Sequence, residues 1–304
     1  MSIVTSQQLA RYYEQYKSTD VSFNKQVMSA TGLISRSVYL KIKDRQIPCM
    51  VFSSSMSAAR VIASVGPVVM ASLKQANNRC ALRWCFKQPD QVEPITFFVT
   101  CHTTGFMHYA LQGPDVHFVS VEFTQRAPDD LIQILGTLLE ANVNSQRRKD
   151  ERIIITPEIM KKMGLETREA ALLADGAAIR CVLRDLSFSG AKVVAAGSAE
   201  TYGGKNVSLR IARGEQAAEM TIPGSVRRVE EVGGRKDILA VGLEYSGDAP
   251  IAYKLLINNY ISSLRKTPPD ALKSAAAAPP ATPGGISDGV QAPEAVAEDK
   301  SSHG

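Results

Sequence analysis

The chain has 304 residues, enough for two domains of ordinary size and a tail. It carries 35 basic and 30 acidic residues, a net charge of +5, and no stretch approaches the roughly 20 apolar residues of a membrane-spanning helix. Its first residues also lack the basic and apolar regions of a secretory signal peptide. We therefore expect a cytoplasmic protein, and the sequence argues against membrane insertion and secretion.

The five cysteines are odd in number and lie mostly in strand-like runs, which is typical of reduced core residues in a cytoplasmic protein. Cys101, His102, His108 and His117 are the nearest approach to a metal-ligand set, but they lack C-x-x-C or paired spacing. We predict no metal site and no cofactor. The cysteines are Cys49, Cys80, Cys85, Cys101 and Cys181.

The first half of the chain is predicted to form strands between two helices. At the start, Leu9, Tyr12, Tyr13 and Tyr16 lie on one helical face, which favours packing onto a barrel. A second helix is predicted over Met56 to Ser64, rich in Ala and aliphatic residues and stopped by Gly66-Pro67. Alternating apolar residues predict strands over Ser37 to Lys43, Ile47 to Phe52, Cys80 to Phe86, Ile95 to His102 and Val116 to Phe123.

An amphipathic helix, Asp129 to Ala141, follows the last of these strands, with Leu131, Leu135, Leu138 and Leu139 on its apolar face. We assign residues 1–141 to an N-terminal barrel without ligand motifs. Residues 142–152 form a charged interdomain linker.

Two short motifs follow. The first is R-x-x-x-R, formed by Arg148 and Arg152 in the linker, and the second is D-x-S-x-x-G, formed by Asp185, Ser187 and Gly190. The planar fork of an Arg side chain matches the O6/N7 edge of guanine or the oxygens of a phosphate. An Asp carboxylate only accepts, so Asp185 complements the donor edge of the same base.

Ser187 adds a small hydroxyl, and Gly190 permits a sharp turn or a close approach of the backbone. Taken singly, each motif also has an ordinary structural explanation. Two arginines are typical of a solvated charged face, and Asp, Ser and Gly are typical of a turn between two strands.

The sequence around the motifs predicts a second barrel. Ile153-Ile154-Ile155 is a short β-branched run, and residues 179–184 and 206–211 alternate between apolar and polar. The stretches Ala217 to Val229 and Asp237 to Tyr245 are separated by Gly233-Gly234, a turn signal. A helix then begins after Asp248-Ala249-Pro250. Its apolar stripe consists of Tyr253, Leu256, Ile257, Tyr260, Ile261 and Leu264.

The two motifs, in this order and each beside strand-like sequence, resemble those of the PilZ family of cyclic di-GMP receptors. The resemblance covers about residues 146–265 and implies a six-stranded barrel with a C-terminal helix. It implies cyclic di-GMP as the ligand and Arg148, Arg152, Asp185, Ser187 and Gly190 as ligand-binding residues. It also implies that Arg147, the neighbouring basic residue, helps to admit a second stacked ligand; the alternative is a solvent-facing arginine.

The two halves of the chain echo each other. At a constant offset, Val119 to Phe123 falls on Val241 to Tyr245, and the stripes of the two following helices coincide. We interpret this as an internal repeat of a barrel followed by a helix. The fold class is therefore mainly β, with two small antiparallel barrels. At the same offset, the positions equivalent to the motif residues are Gln26, Ala30, Ala63, Val65 and Val68, which form no second guanine-binding set.

Residues 153–266 form the C-terminal barrel and its helix, and residues 267–304 form a tail rich in Ala, Pro, Ser and Gly that we predict to be disordered. The tail carries a net charge of −3, so residues 1–266 carry +8. A basic body suits an anionic ligand, and it also suits nucleic acid or an acidic protein surface.

We predict no enzymatic activity and no catalytic residue. Ser53-Ser54-Ser55 lacks the context of a nucleophile elbow, Gly203-Gly204-Lys205 lacks the rest of a phosphate loop, and His102 has no acid partner in sequence.

The sequence predicts a bacterial cyclic di-GMP receptor whose two barrels rearrange when the ligand orders the linker. It would signal to a protein partner, such as the flagellar machinery, and so control motility or virulence. Two alternatives stay open: a nucleic-acid-binding barrel with an arginine patch, and a PilZ-like interaction protein without ligand. Trp84 is the only tryptophan and no aromatic platform is visible in the second half, so nucleic acid is the weaker partner.

Overall fold

The structure is a computed structural model that describes residues 4–88, 91–110, 113–213 and 217–264. The predicted disordered tail, residues 267–304, lies outside the described residues. The helices are α1 Ser6–Tyr16, α2 Lys25–Thr31, α3 Pro67–Gln75, α4 Asp129–Arg147, α5 Pro157–Met163, α6 Ala199–Tyr202 and α7 Ile251–Leu264.

Strands of the first half are β1 Val21–Ser22, β2 Tyr39–Ile42, β3 Arg45–Ser54, β4 Ala58–Ser64, β5 Arg79–Phe86, β6 Ile95–His108 and β7 Val116–Phe123. Strands of the second half are β8 Ile153–Ile154, β9 Glu169–Ala174, β10 Ala177–Leu186, β11 Gly190–Ala196, β12 Asn206–Arg213, β13 Ala217–Val232 and β14 Arg235–Tyr245.

The first barrel is closed by six antiparallel strands in the order β3-β2-β5-β6-β7-β4, with β4 pairing back onto β3. The two-residue strand β1 adds to β3 outside this ring. Inward-facing residues of successive strands are buried, among them Leu40, Val51, Val61, Leu82 and Val119. Alternation along each strand thus places one set of side chains in the barrel interior.

The second barrel repeats this arrangement. Its ring is β10-β9-β12-β13-β14-β11, closed by β11 on β10, and β8 adds to β10 as β1 adds to β3. The two barrels have the same strand order, and a helix follows each. The predicted fold class and the internal repeat are confirmed.

The predicted helix over Met56 to Ser64 is wrong. This segment contains β4, which pairs with β3 on one side and β7 on the other. Ala59, Val61 and Ala63 point inward and are buried, so tertiary pairing overrides the helical propensity of the alanines. Gly66-Pro67, predicted as a helix stop, instead begins α3, with Gly66 at the N-cap and Pro67 in the first turn.

Helix α4 runs six residues beyond its predicted end at Ala141, up to Arg147. It takes up the first half of the predicted linker, so the first arginine of the R-x-x-x-R pair stands at the C-cap of a helix. The apolar side chains of α4, including Leu131, Leu135 and Leu138, are buried in the core of the first barrel.

The C-terminal half of α4 contacts α7 through polar groups. Asn144 donates to Asn258 at 2.6 Å, and both side chains are buried. The Lys254 ammonium, 4% exposed, donates to Asn142 of α4 and to Asp248. Side-chain hydrogen bonds therefore join the helix that precedes the second barrel to the helix that follows it.

Candidate functional site

The turn between β10 and β11 contains the whole D-x-S-x-x-G motif. The Ser187 N–H donates to the Gly190 carbonyl at 2.8 Å, and the Gly190 N–H donates to the Ser187 hydroxyl at 3.1 Å. Ser187 is only 1% exposed. The buried Ser187 hydroxyl therefore stabilises the turn through its hydrogen bond with Gly190.

Gly190 is required by a close approach of backbone. A Cβ at this position would lie 2.2 Å from the Leu243 carbonyl oxygen of β14, a distance that real Cβ atoms do not reach. The contact is with the neighbouring strand, which is one of the two uses that the sequence predicted for this glycine.

Two buried tyrosines support the same turn from below. Tyr253 of α7 donates to the Ser187 carbonyl at 2.8 Å, and Tyr245 of β14 donates to the Tyr253 hydroxyl at 3.0 Å. Burial raises the pKa of both phenols, so they stay protonated and act as donors. Tyr253 was predicted only as part of the apolar stripe of the helix, and this hydrogen bond was not predicted, although a buried tyrosine hydroxyl usually has a partner.

Strand pairing brings the two motifs together. β8 pairs with the end of β10 so that Ile154 lies opposite Asp185, which places the residue before β8 beside the start of the turn. As a result, the Arg152 Nη1 lies 2.5 Å from Asp185 Oδ1. The Asp185 side chain is 15% exposed and the Arg152 side chain is 52% exposed, so solvent reaches this ion pair mainly at the arginine.

A second contact ties the linker to the turn. The Ser189 N–H donates to the Lys149 carbonyl at 3.2 Å, and the Ser189 hydroxyl lies 2.9 Å from that carbonyl and 3.0 Å from Asp150 Oδ1. Ser189 is one of the unspecified positions of the motif, and it was not predicted as a site residue. The sequence signal that could have identified Ser189 is a hydroxyl residue in a turn that faces a charged linker.

The first arginine is held by a neighbouring acid. Arg148 stands at the C-cap of α4, and its Nη1 lies 2.9 Å from Glu151 Oε2. Both side chains are partly exposed, at 32% and 44%. Arg147, the preceding residue, ends α4 and is exposed. The three arginines thus lie along one short segment at the rim of the second barrel.

The turn has a counterpart in the first barrel. The Ser55 N–H donates to the Ala58 carbonyl at 2.9 Å, the Ala58 N–H donates to the Ser55 hydroxyl, and the Ser57 hydroxyl donates to the Lys17 carbonyl at 3.3 Å. Each bond matches one in the second barrel 132 residues later. The structural equivalents of Arg148, Arg152, Asp185, Ser187 and Gly190 are Tyr16, Asp20, Ser53, Ser55 and Ala58.

The positions carried back at a constant offset, Gln26 through Val68, are therefore wrong. The offset is 132 residues at the turn and 122 residues at the last strand, because the first barrel is ten residues longer between them. The structural equivalents also include no arginine.

The five cysteines lie in the core, whereas His102 and His108 are exposed. All five cysteines are free and buried, and burial raises the pKa of Cys49 and Cys181 to about 12. Within the described ranges, no group of three or more His, Cys, Asp or Glu side chains is placed to hold a metal ion. No helix in the described part of the chain is long and apolar enough to cross a membrane.

Comparison with known proteins identifies both halves. The family model of the PilZN3 domain matches residues 7–142, and that of the PilZ domain matches residues 146–263. The cyclic di-GMP binding protein of Treponema denticola is 39% identical over 271 residues, which cover 89% of this chain and 86% of that protein.

Two solved structures are similar to this chain at lower sequence identity. PlzA of Borreliella burgdorferi, in complex with c-di-GMP, is 21% identical with a TM-score of 0.39, over 84% of this chain and 98% of that one. YcgR of Escherichia coli, also in complex with c-di-GMP, is 15% identical with a TM-score of 0.28, over 82% and 89%.

Proposed function

The chain belongs to the PilZ family, and we propose that it is a two-domain cyclic di-GMP receptor that binds its ligand where the linker meets the β10–β11 turn. The proposed ligand-binding residues are Arg147, Arg148, Arg152, Asp185, Ser187 and Gly190. The protein acts by binding and has no catalytic role in this proposal.

The contact between Arg152 and Asp185 carries the proposal. It joins two residues 33 positions apart and places an arginine fork beside a carboxylate, the donor and acceptor groups that the two edges of guanine require. Arg148, 32% exposed, supplies a second cation for a phosphate or a base face. Ser187 and Gly190 contribute by shaping the turn that presents Asp185.

Arg147 is the residue that we assign to a second ligand. It is exposed, and it lies directly before Arg148 at the end of α4. The Arg147 guanidinium adds a cation next to Arg148. It can therefore pair with a phosphate of a second, stacked nucleotide. The number of ligands per protein tests this assignment.

Signal transmission is proposed to pass through α4 and α7. Arg148 caps α4, whose buried Asn144 contacts Asn258 of α7, and Tyr253 of α7 contacts the Ser187 carbonyl. A ligand that binds both arginines and the turn therefore acts on both helices of this pair. An exchange of these hydrogen bonds for others would let the two helices change their relative position when the ligand binds.

We infer that the rearranged barrels present a surface to a protein partner and that the output is motility or virulence. The two-domain layout of a binding barrel and a non-binding barrel supports a division into sensor and effector. Five reduced, buried cysteines support a cytoplasmic site of action.

Calorimetric titration of cyclic di-GMP into the full chain tests the ligand. We expect binding by the wild-type protein, loss of binding by the Arg148→Ala, Arg152→Ala double variant, and no heat with GTP. Arg180→Ala is the matched control because Arg180 is an exposed arginine of β10 outside the motifs. A stoichiometry of two that falls to one in Arg147→Ala supports the second ligand.

No heat with wild type, together with no thermal shift at a large excess of ligand, would leave an interaction protein without ligand as the better explanation. Equal loss of binding in Arg180→Ala would show that net positive charge, and not the motif, drives binding.

Small-angle scattering with and without cyclic di-GMP tests the rearrangement. We expect the scattering profile to change at saturation in the wild-type chain and to stay constant in the double arginine variant. Identical wild-type profiles at a concentration where calorimetry shows full occupancy would contradict the interdomain mechanism and leave the receptor assignment intact.

A further inference from the structure

Within the described residues, the first barrel has an unpaired strand edge. Strand β6 pairs with β5 along Ile95–His102 and with β7 along Cys101–His108. From Thr104 to His108, one edge of β6 is therefore bonded to β7, and no strand of the described ranges pairs with the other edge. We call Thr104–His108 the free edge.

The backbone of the free edge offers hydrogen bonds to a further strand. The Tyr109 N–H bonds the Val116 carbonyl of β7 at 2.9 Å. Since alternate residues of an antiparallel strand bond to the same side, Phe106 and His108 direct their N–H and C=O groups away from β7. The side chains of Phe106 and Met107 are 36% and 57% exposed, so solvent reaches this part of the strand.

The second barrel has the same edge in a different chemical form. Beyond its pairing with β12, strand β13 continues along β14 alone. This stretch carries Arg227, Arg228, Glu230 and Glu231, and three of these are in ion pairs. Charged side chains are a common means of keeping an exposed edge from pairing. The free edge of the first barrel contains no Asp, Glu, Lys or Arg.

The sheet face beside the free edge also differs between the two barrels, and it is more apolar in the first. A row of cross-strand partners runs from Met50 through Ile62 and Phe118 to Met107. The rings of Phe52 and Tyr109 each contact Phe118 with centroids 5.0 Å apart. The equivalent row of the second barrel is Val182, Val194, Ala240 and Glu230, which is smaller and ends in a charge.

We propose that the free edge is a homodimer interface, in which Thr104–His108 pairs antiparallel with the same segment of a second copy. A two-fold axis perpendicular to the sheet makes a strand antiparallel to its own copy and keeps the apolar rows of both copies on one face. The free edge has no Asp, Glu, Lys or Arg, so it would not repel the same segment of a second copy. It also lacks the charges that would favour a partner of opposite charge. The proposal is independent of the ligand site.

Sedimentation velocity of the full chain over a concentration series tests the interface. Met107→Glu introduces the residue that the second barrel has at this position, Glu230, and we expect it to raise the dimer dissociation constant at least about tenfold. Val68→Glu is the matched control because Val68, in α3 of the same barrel, is 60% exposed. It should dimerise like wild type.

Thr104→Glu repeats the test from the other end of the free edge, in case Met107→Glu does not fold. Amide exchange gives an independent readout in the wild-type protein: the Phe106 and His108 amides should become protected as the concentration rises, and the amides of α3 should not change.

Three results would overturn the proposal. The wild-type chain could be a monomer at every concentration, which would leave the free edge to a strand of another protein. Met107→Glu and Thr104→Glu could both fold and dimerise like wild type, which would place any dimer contact elsewhere. Val68→Glu could dissociate as fully as Met107→Glu, which would show that the effect is not local to the edge.

Discussion

The two barrels build the same turn from different residues, and the ligand-binding groups that we propose belong to the second. The turns at Ser53–Ala58 and Asp185–Gly190 share their backbone bonds and their serine-to-backbone bonds. The turn is therefore a feature of the fold. The proposed ligand chemistry depends on side chains added around it, chiefly Arg148, Arg152 and Asp185.

Packing explains why the first barrel lacks the first arginine. Tyr16, at the position of Arg148, is 7% exposed and belongs to the core of the first barrel. Helix α1 packs against α4, where the Tyr12 hydroxyl donates to the buried Glu140 at 2.8 Å. The position that Arg148 occupies at the open rim of the second barrel is thus filled by a buried core residue in the first.

The turn carbonyl also has a different donor in each barrel. Ser54 donates to the Ser55 carbonyl at 2.9 Å, whereas Tyr253 of α7 donates to the Ser187 carbonyl. Leu186 occupies the position of Ser54 and has no donor to offer. In the second barrel alone, the turn is therefore coupled to the helix that contacts α4.

Exchanging glycine and alanine between the turns gives the largest expected effect on stability. Gly190→Ala should lower the free energy of unfolding by about 2–3 kcal/mol, because its Cβ would clash with the Leu243 carbonyl. Ala58→Gly, the reverse change in the first barrel, should cost only about 0.5–1 kcal/mol of backbone entropy. Chemical denaturation of both variants measures the difference.

If Gly190→Ala were as stable as the wild type, the close contact between β11 and β14 would not restrict this position, and the comparison of the two turns would fail there.

Removing the tyrosine hydroxyl should have an intermediate effect. Tyr253→Phe leaves the Ser187 carbonyl without its donor, and we expect a loss of about 1–3 kcal/mol in the free energy of unfolding. Ser54→Ala removes the corresponding donor in the first barrel and should cost a comparable amount. Tyr109→Phe is the control, since the Tyr109 hydroxyl has no hydrogen-bond partner within the described residues. A Tyr253→Phe variant no less stable than Tyr109→Phe would argue against the coupling.

The smallest effect concerns the acid beside the first arginine. Glu151 holds Arg148 in a partly exposed ion pair, so a ligand must displace it. Because exposed pairs contribute up to about 1 kcal/mol, Glu151→Gln should tighten cyclic di-GMP binding by about two- to fivefold. Glu158→Gln, an exposed acid in the first turn of α5, should leave the affinity unchanged. Titrations at low salt measure both, and equal affinities would exclude competition by Glu151.

Most of the strands could be predicted from local patterns, and the failures have identifiable causes. β9 and β11 carry small residues such as Ala170, Ala171 and Ala195, whose alternation is weak, so neither strand was predicted. β4 was predicted as a helix for the same reason. In all three, pairing with neighbouring strands decides the conformation, and that information is not local.

The site was predicted in part for a similar reason. The motif residues could be selected because their donor and acceptor groups match a guanine nucleotide. Ser189, Tyr253 and Glu151 were not selected, because their roles depend on contacts with Lys149, the Ser187 carbonyl and Arg148 that only the folded chain creates.

By itself, the sequence determined the two-barrel architecture, the family and the chemistry of the motifs, because hydrophobic alternation and side-chain donor groups are properties of residue order. Tertiary structure decided that Arg152 meets Asp185, that a buried tyrosine supports the turn, and that no described strand pairs with one edge of β6 from Thr104 to His108. These features depend on strand register and helix packing, which bring together residues far apart in the chain.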